Sequence, residues 1–184
     1  MLRCELPNGY ALRLPEEADA DELYAVIDAN RKHLLPWMPW APHHRGPADV
    51  LPFIRLTRKQ IADNDGLQTV IVDPDGRIIG MIGTHAIDWL HGKTSIGYWM
   101  ARAEQGRGTM TAAVRAYLDY AFGTWRLNRV TIQAAVGNAR SRAIPERLGF
   151  REEGILREVE RVGGRMLDDV VYAMLAADWP GASA

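Results

Sequence analysis

The period of the apolar positions changes several times along the chain, and each change marks an element. Between residues 109 and 122, Met110, Ala113, Val114, Tyr117, Leu118, Ala121 and Phe122 fall at i, i+3, i+4, i+7, i+8, i+11 and i+12. That is one unbroken stripe on an α-helix. Residues 18–35 put Leu23, Val26, Ile27 and Leu34 on a shared face and predict another helix. Residues 49–63 predict a third, stopped by the turn Asn64-Asp65-Gly66, and 138–148 a short fourth. Strands are predicted at 10–14, 67–72, 77–88, 94–100, 129–136, 155–162 and 169–175. Asp73-Pro74-Asp75-Gly76 reads as a hairpin turn. Hairpins come first, then a strand–helix–strand–helix unit, then a closing antiparallel pair. That order predicts an α+β fold with one parallel crossover, not a doubly wound sheet. The run Pro36-Trp37-Met38-Pro39-Trp40-Ala41-Pro42 holds too much proline to be helical throughout.

Composition narrows the class. At 184 residues the chain fits one domain, 1–184, with a sizeable core. A formal net charge of −1 argues against a general grip on nucleic acid. Cys4 is the only cysteine, which excludes an intramolecular disulfide and a cysteine-based zinc site. His43-His44 are adjacent in a Pro/Gly loop, a poor geometry for chelation, so no metal is expected. There is no signal-peptide pattern and no membrane-spanning apolar run, and a cytoplasmic protein is expected.

Candidate chemistry gathers at two places. Gln105-Gly106-Arg107-Gly108 joins a strand to the N-terminus of the striped helix. Helix N-termini carry unpaired N–H groups and partial positive charge, and glycines let the backbone approach a ligand closely. A phosphate satisfies both demands, although a tight turn without a ligand fits the same residues. The loop is neither a Walker motif nor a dinucleotide fingerprint. Arg102 and Arg107 add positive charge. The second place is Asn138-Ala139-Arg140-Ser141, where Asn138 is a favoured N-cap. Pro145 lies inside that helix and frees the Ser141 carbonyl, because proline has no N–H. Gly149-Phe150 ends the helix.

Gln105-x-x-Gly108, Asn138-x-x-Ser141 and Leu148-Gly149-Phe150 together resemble the GCN5-related N-acetyltransferase (GNAT) superfamily. LPWMPW at 35–40, IGYWM at 96–100, SRAIPERLGF at 141–150 and VVYAML at 170–175 resemble its RimJ/RimL branch, which acetylates protein N-termini, including those of ribosomal proteins. The resemblance implies a mostly antiparallel sheet of six to seven strands, with one parallel crossover and splayed central strands, flanked by about four helices. It implies acetyl-CoA as cofactor and a protein or peptide N-terminus as acceptor. Dimers are common in the branch. The pyrophosphate would lie on the backbone of Arg107, Gly108, Met110 and Thr111, with Gln105 and Gly106 shaping the turn and Thr109 also counted in the cofactor site. Met110 departs from the usual Gly or Ala. Tyr98, Trp99 and Met100 would pair with the pantetheine as a pseudo-strand, and Asn138 would hydrogen-bond the pantetheine arm.

For the chemistry, many members place a tyrosine seven residues after the asparagine as the thiolate's acid, where this chain has Pro145. Ser141 is the best replacement, as acid, as hydrogen-bond donor to sulfur, or only as a cap. By the same resemblance Glu160 matches a branch glutamate proposed to deprotonate the amine, although a solvated strand face fits the same residue. Strand alternation would put Glu158 beside it, and like charges raise a carboxyl pKa. Trp37 and Trp40 would wall the acceptor entrance, and His85 is a weaker alternative base. A small-molecule amine acetyltransferase, acting on a polyamine or antibiotic, and an acyl-CoA-binding sensor without catalysis are the rival readings.

Overall fold

The computed structural model describes residues 3–181. Its centre is one sheet of eight strands: β1 (Arg3–Glu5), β2 (Ala11–Arg13), β3 (Gln68–Val72), β4 (Ile78–Thr84), β5 (Lys93–Met100), β6 (Arg129–Ala135), β7 (Arg151–Val162) and β8 (Arg165–Leu175). Their spatial order is β1-β2-β3-β4-β5-β6-β8-β7. Only β5 and β6 run parallel, and the crossover between them is helical. The five α-helices are α1 (Ala20–Ala29), α2 (Arg31–Leu34), α3 (Pro47–Ala62), α4 (Thr109–Asp119) and α5 (Ala139–Arg147). The mixed fold with one crossover is as expected, with one more strand and one more helix.

The sheet is covered on both faces. Side chains of α4 and α5 pack with Ile82, Ile96, Val130 and Tyr172 in one core. Side chains of α1 and α3 pack with Val70, Val72, Ile78 and Met81 in the other. Every residue of β4 is therefore buried, and it reads as a continuous apolar run rather than an alternating one. Tyr117 of α4 is buried, and its hydroxyl is satisfied by Thr69 Oγ1 and the Ile82 carbonyl, both at 2.9 Å.

Four expectations change. The helix expected over 18–35 breaks at Asn30 (φ −107°, ψ 9°). There the Asn30 side chain donates to Val26 O at 2.9 Å and accepts from Arg102 N at 2.9 Å, so the break ties α1 to the loop ahead of α4. The helix expected to reach 122 stays α-helical to Asp119 and finishes as a π-turn over Tyr120–Thr124. The strand expected over 77–88 ends at Thr84. The extra strand, β1, is three residues long and pairs only with β2, too short for alternation to announce.

Candidate functional site

The site begins where β5 leaves β6. The two strands share three register pairs, Lys93↔Arg129, Thr94↔Val130 and Ser95↔Thr131, and then separate. On its other side β5 stays paired with β4 to Met100. The bonds His85 N→Ser95 O at 2.9 Å and Ala101 N→Ile79 O at 2.7 Å turn the backbone of residues 95, 97, 99 and 101 toward β4. Antiparallel pairs alternate, so the N–H groups of Tyr98 and Met100 face the gap. The result is a V-shaped slot walled by a free strand edge.

The slot opens into a cavity of about 1450 Å³ that runs past the start of α4. Gly106 (φ 81°) and Gly108 (φ 80°) hold left-handed backbone that turns the chain into the helix. The first helical N–H to find a backbone acceptor across this junction is Ala112, on Gly108 O at 3.0 Å. Thr109, Met110 and Thr111 have no carbonyl a turn behind them in the helix, so their N–H groups are directed at the cavity. At the opposite wall Asn138 caps α5: its Oδ1 accepts from Ser141 N at 3.3 Å. The cap uses the amide oxygen and leaves the NH₂ donors for a ligand.

Side-chain partners fix this region. Gln105 contacts His33 Nε2 at 2.8 Å and accepts from Arg140 at 2.9 Å. Burial, then the charges of Arg102 and Arg140, push the His33 pKa down, which keeps its ring nitrogen an acceptor for the Gln105 amide. Arg107 is not a free charge: it pairs with Glu104 at 3.2 Å and donates to Tyr10 Oη at 3.2 Å. A further positive charge at the helix start comes from α5, where Arg147 donates to Thr111 Oγ1 at 2.9 Å. Arg140 and Arg147 stand two turns apart on one helix face. That i, i+7 spacing is the signal that reading the loop alone passes over.

The structure gathers most of the candidate residues and separates others. Tyr98, Trp99, Met100, Gln105, Gly106, Arg107, Gly108, Thr109, Met110, Thr111, Asn138, Ser141 and Trp37 line the cavity. The Trp37 ring also lies against Gly137, just before the α5 cap. Trp40, His85 and Glu160 are outside its lining. Trp40 packs on Trp99 (ring centroids 5.8 Å apart) and edge-on to His44, within the α1/α3 core. His85 lies beside Gly97 and contacts Ser95 Oγ at 2.8 Å. The expectation that Glu158 and Glu160 share a strand face is wrong. The β7–β8 register shifts between Leu156 and Glu160, and Glu158 has a φ of 50°. A bulge breaks alternation. The Glu160 pKa is raised all the same, first by burial and then by the charge of Asp169.

A free strand edge, a slot and a helix start with unpaired N–H groups lie along one cavity, an arrangement able to hold an extended, phosphate-bearing ligand. The GNAT acetyltransferase domain model matches residues 10–151. The chain is 40% identical over 183 residues to the "Putative ribosomal N-acetyltransferase YdaF" of Bacillus subtilis (strain 168), covering 98% of this chain and 99% of that one. It is 27% identical to the ribosomal protein uS5-alanine N-acetyltransferase of Escherichia coli (strain K12), over 92% and 90% of the two chains. Mycobacterium smegmatis RimJ, solved in complex with CoA-disulfide, superposes with a TM-score of 0.88 at 29% identity, over 97% and 88%. The chain belongs to the GNAT acetyltransferase family and is an N-acetyltransferase. GNAT acetyltransferases take their acetyl group from acetyl-CoA. Among the described residues no group of three or more His, Cys, Asp or Glu could hold a metal, and no helix is long and apolar enough to cross a membrane.

Proposed function

We propose that this protein transfers acetyl directly from acetyl-CoA to the α-amine of a protein or peptide N-terminus of the ribosomal-protein type. The observation that carries the reading is the early parting of β5 from β6, which leaves Tyr98 and Met100 N–H groups free beside a cavity that reaches the α4 N-terminus. Likeness to YdaF and to the uS5-alanine enzyme supports the acceptor class. Bound acetyl-CoA supplies an acyl thioester. The free N–H groups at Thr109, Met110 and Thr111 suit its pyrophosphate, and Asn138 Nδ2 suits its arm. A slot-facing N–H of Tyr98 or Met100 suits the carbonyl oxygen as negative charge develops there.

The nucleophiles available favour direct transfer over an acyl-enzyme. Cys4 is the only cysteine; it lines the cavity from β1, but burial and then Glu5 push its pKa up, which keeps it a thiol rather than a thiolate nucleophile. The amine nitrogen would then form the C–N bond itself as the C–S bond breaks, its electron pair staying on sulfur. Glu160, outside the cavity lining, would take the proton the nitrogen sheds by way of water and give it up to solvent. The thiolate would take one proton from solvent, so that one proton leaves the amine and one reaches the sulfur. Ser141 hydrogen-bonds the sulfur and keeps its own proton, because an alkyl hydroxyl is a weaker acid than a thiol. An α-amine, with pKa near 8, is roughly a tenth neutral at pH 7. A lysine costs about 3.5 kcal/mol more to deprotonate. The site asks little of its base only for the first.

The test is acetyl-CoA with two synthetic peptides, one with a free N-terminus and no lysine, the other Nα-blocked with one lysine. Mass spectrometry should find acetyl on the first alone, and acetyl-CoA should raise the melting temperature where ATP at equal concentration does not. Acetylation of the blocked peptide, or of spermidine in preference to both, overturns the acceptor. No melting shift with acetyl-CoA overturns the cofactor site.

A further inference from the structure

Ser141 and Pro145 stand four residues apart on α5, and that spacing leaves a helix carbonyl bare. An N–H at position 145 would bond to Ser141 O, and proline has none. A carbonyl without a donor beside a partly apolar cavity weakens the helix unless another group reaches it. The group that reaches it comes from β5. Tyr98 Oη donates to Ser141 O at 3.0 Å and accepts from Ser141 Oγ at 3.4 Å. Both side chains line the cavity. The phenol's single proton is committed to the carbonyl, so toward Ser141 Oγ its oxygen acts only as acceptor.

We propose that Tyr98 is the positioning residue for Ser141, and that Pro145 and Tyr98 work as one device: the proline vacates the carbonyl, and the tyrosine takes it. Through the carbonyl, Tyr98 fixes the first turn of α5. Through Oγ, it keeps the serine hydroxyl at the cavity wall by a long bond that sulfur can displace. The chain thus keeps a phenol at the cavity wall although position 145 carries a proline. Tyr98 is not itself the acid. Burial pushes its pKa up to about 12, far above a thiol's, so it stays neutral and places no negative charge near a developing thiolate. The inference rests on the role given to Ser141 under the proposed function.

The test uses Tyr98→Phe, Ser141→Ala, Pro145→Ala and the double variants, in steady-state kinetics and thermal melting. Tyr98→Phe should lower kcat on the order of tenfold, with the acetyl-CoA KM held within about twofold. In the Ser141→Ala background it should lower kcat no further, because its effect runs through the serine. Pro145→Ala should raise Tm more in the Tyr98→Phe background than in the wild type, since it supplies the N–H the carbonyl then lacks, and kcat should stay low. Kinetic losses that add, or a Pro145→Ala effect on Tm that is equal in both backgrounds, overturn the inference. So does Tyr98→Phe at wild-type kcat when Ser141→Ala is impaired. If Ser141→Ala itself keeps wild-type kcat, what falls is the assignment of Ser141, and the kinetic half of the inference falls with it.

Discussion

The α4 loop and the β7–β8 hairpin flank the same splayed sheet and are built in opposite ways. At the loop nearly every polar side chain has a fixed partner: Gln105 between His33 and Arg140, Glu104 with Tyr10 and Arg107, Thr111 with Arg147. In the hairpin, residues 151–159 are exposed, the register slips twice, and Ile155 and Val159 show 53% and 48% of their surface to solvent. A ligand that never changes can be met by backbone groups and side chains set in advance. If the hairpin meets the acceptor, a long, irregular strand pair would suit one that varies, because its exposed positions can be altered without disturbing the core.

The strongest way to break that contrast is to spoil the preset half. No atom would obstruct a Cβ at Gly108, so the cost of a side chain there is the φ of 80° alone. Gly108→Val should weaken acetyl-CoA binding on the order of fiftyfold, measured by calorimetry, because a β-branched residue resists left-handed backbone and would move the N–H groups of α4. Acetyl-CoA affinity that survives Gly108→Val would show that the loop does not depend on preset backbone.

A smaller effect is expected from α5. Arg147→Ala removes a cation beside Thr111 and should raise the acetyl-CoA KM about tenfold, less at high salt, with the acceptor KM unchanged. A matching change in acceptor KM would mean the two halves are not separate.

The same contrast explains what could be read from the chain beforehand. The glycine loop, the α4 stripe, the Asn138 cap and the freed Ser141 carbonyl are local: neighbouring residues impose them, so their spacing is visible in sequence. Tyr98 as the carbonyl's new donor, Arg147 at Thr111 and the pairing of Arg107 with Glu104 and Tyr10 need tertiary contacts; Tyr10 and Arg107 are 97 positions apart. The bulge at Glu158 was invisible for another reason. Alternation in 155–160 is a pattern of residue types, and one left-handed residue interrupts the strand at Glu158 without changing any of them.

In the hairpin, Glu160→Gln should lower kcat/KM for a free N-terminus about fivefold at pH 7, and less at pH 9, where most α-amines are already neutral. A loss that does not shrink with rising pH would remove Glu160 as base and leave it a structural carboxyl.

The smallest effect separates charge from shape in this half. Asp169 is 7% exposed, and among the described residues its Oδ1 has no hydrogen-bond partner. Burial, then Asp168, raise its pKa above the ordinary 3.8. A raised carboxyl means the folded state resists the charged form, so stability is greatest below the unfolded pKa and falls as pH rises through the folded one. Asp169→Asn removes that charge. It should stabilise the fold by ~1 kcal/mol at pH 7.5 and by almost nothing at pH 4, read as denaturant midpoints at the two values. It also removes the charge that helps raise Glu160, so the acidic limb of kcat/KM should move to lower pH. A stability gain without that movement would leave Asp169 as a strained neighbour of the site. Movement of the limb would mean that the loosely built half is tuned by charge where the loop is tuned by geometry.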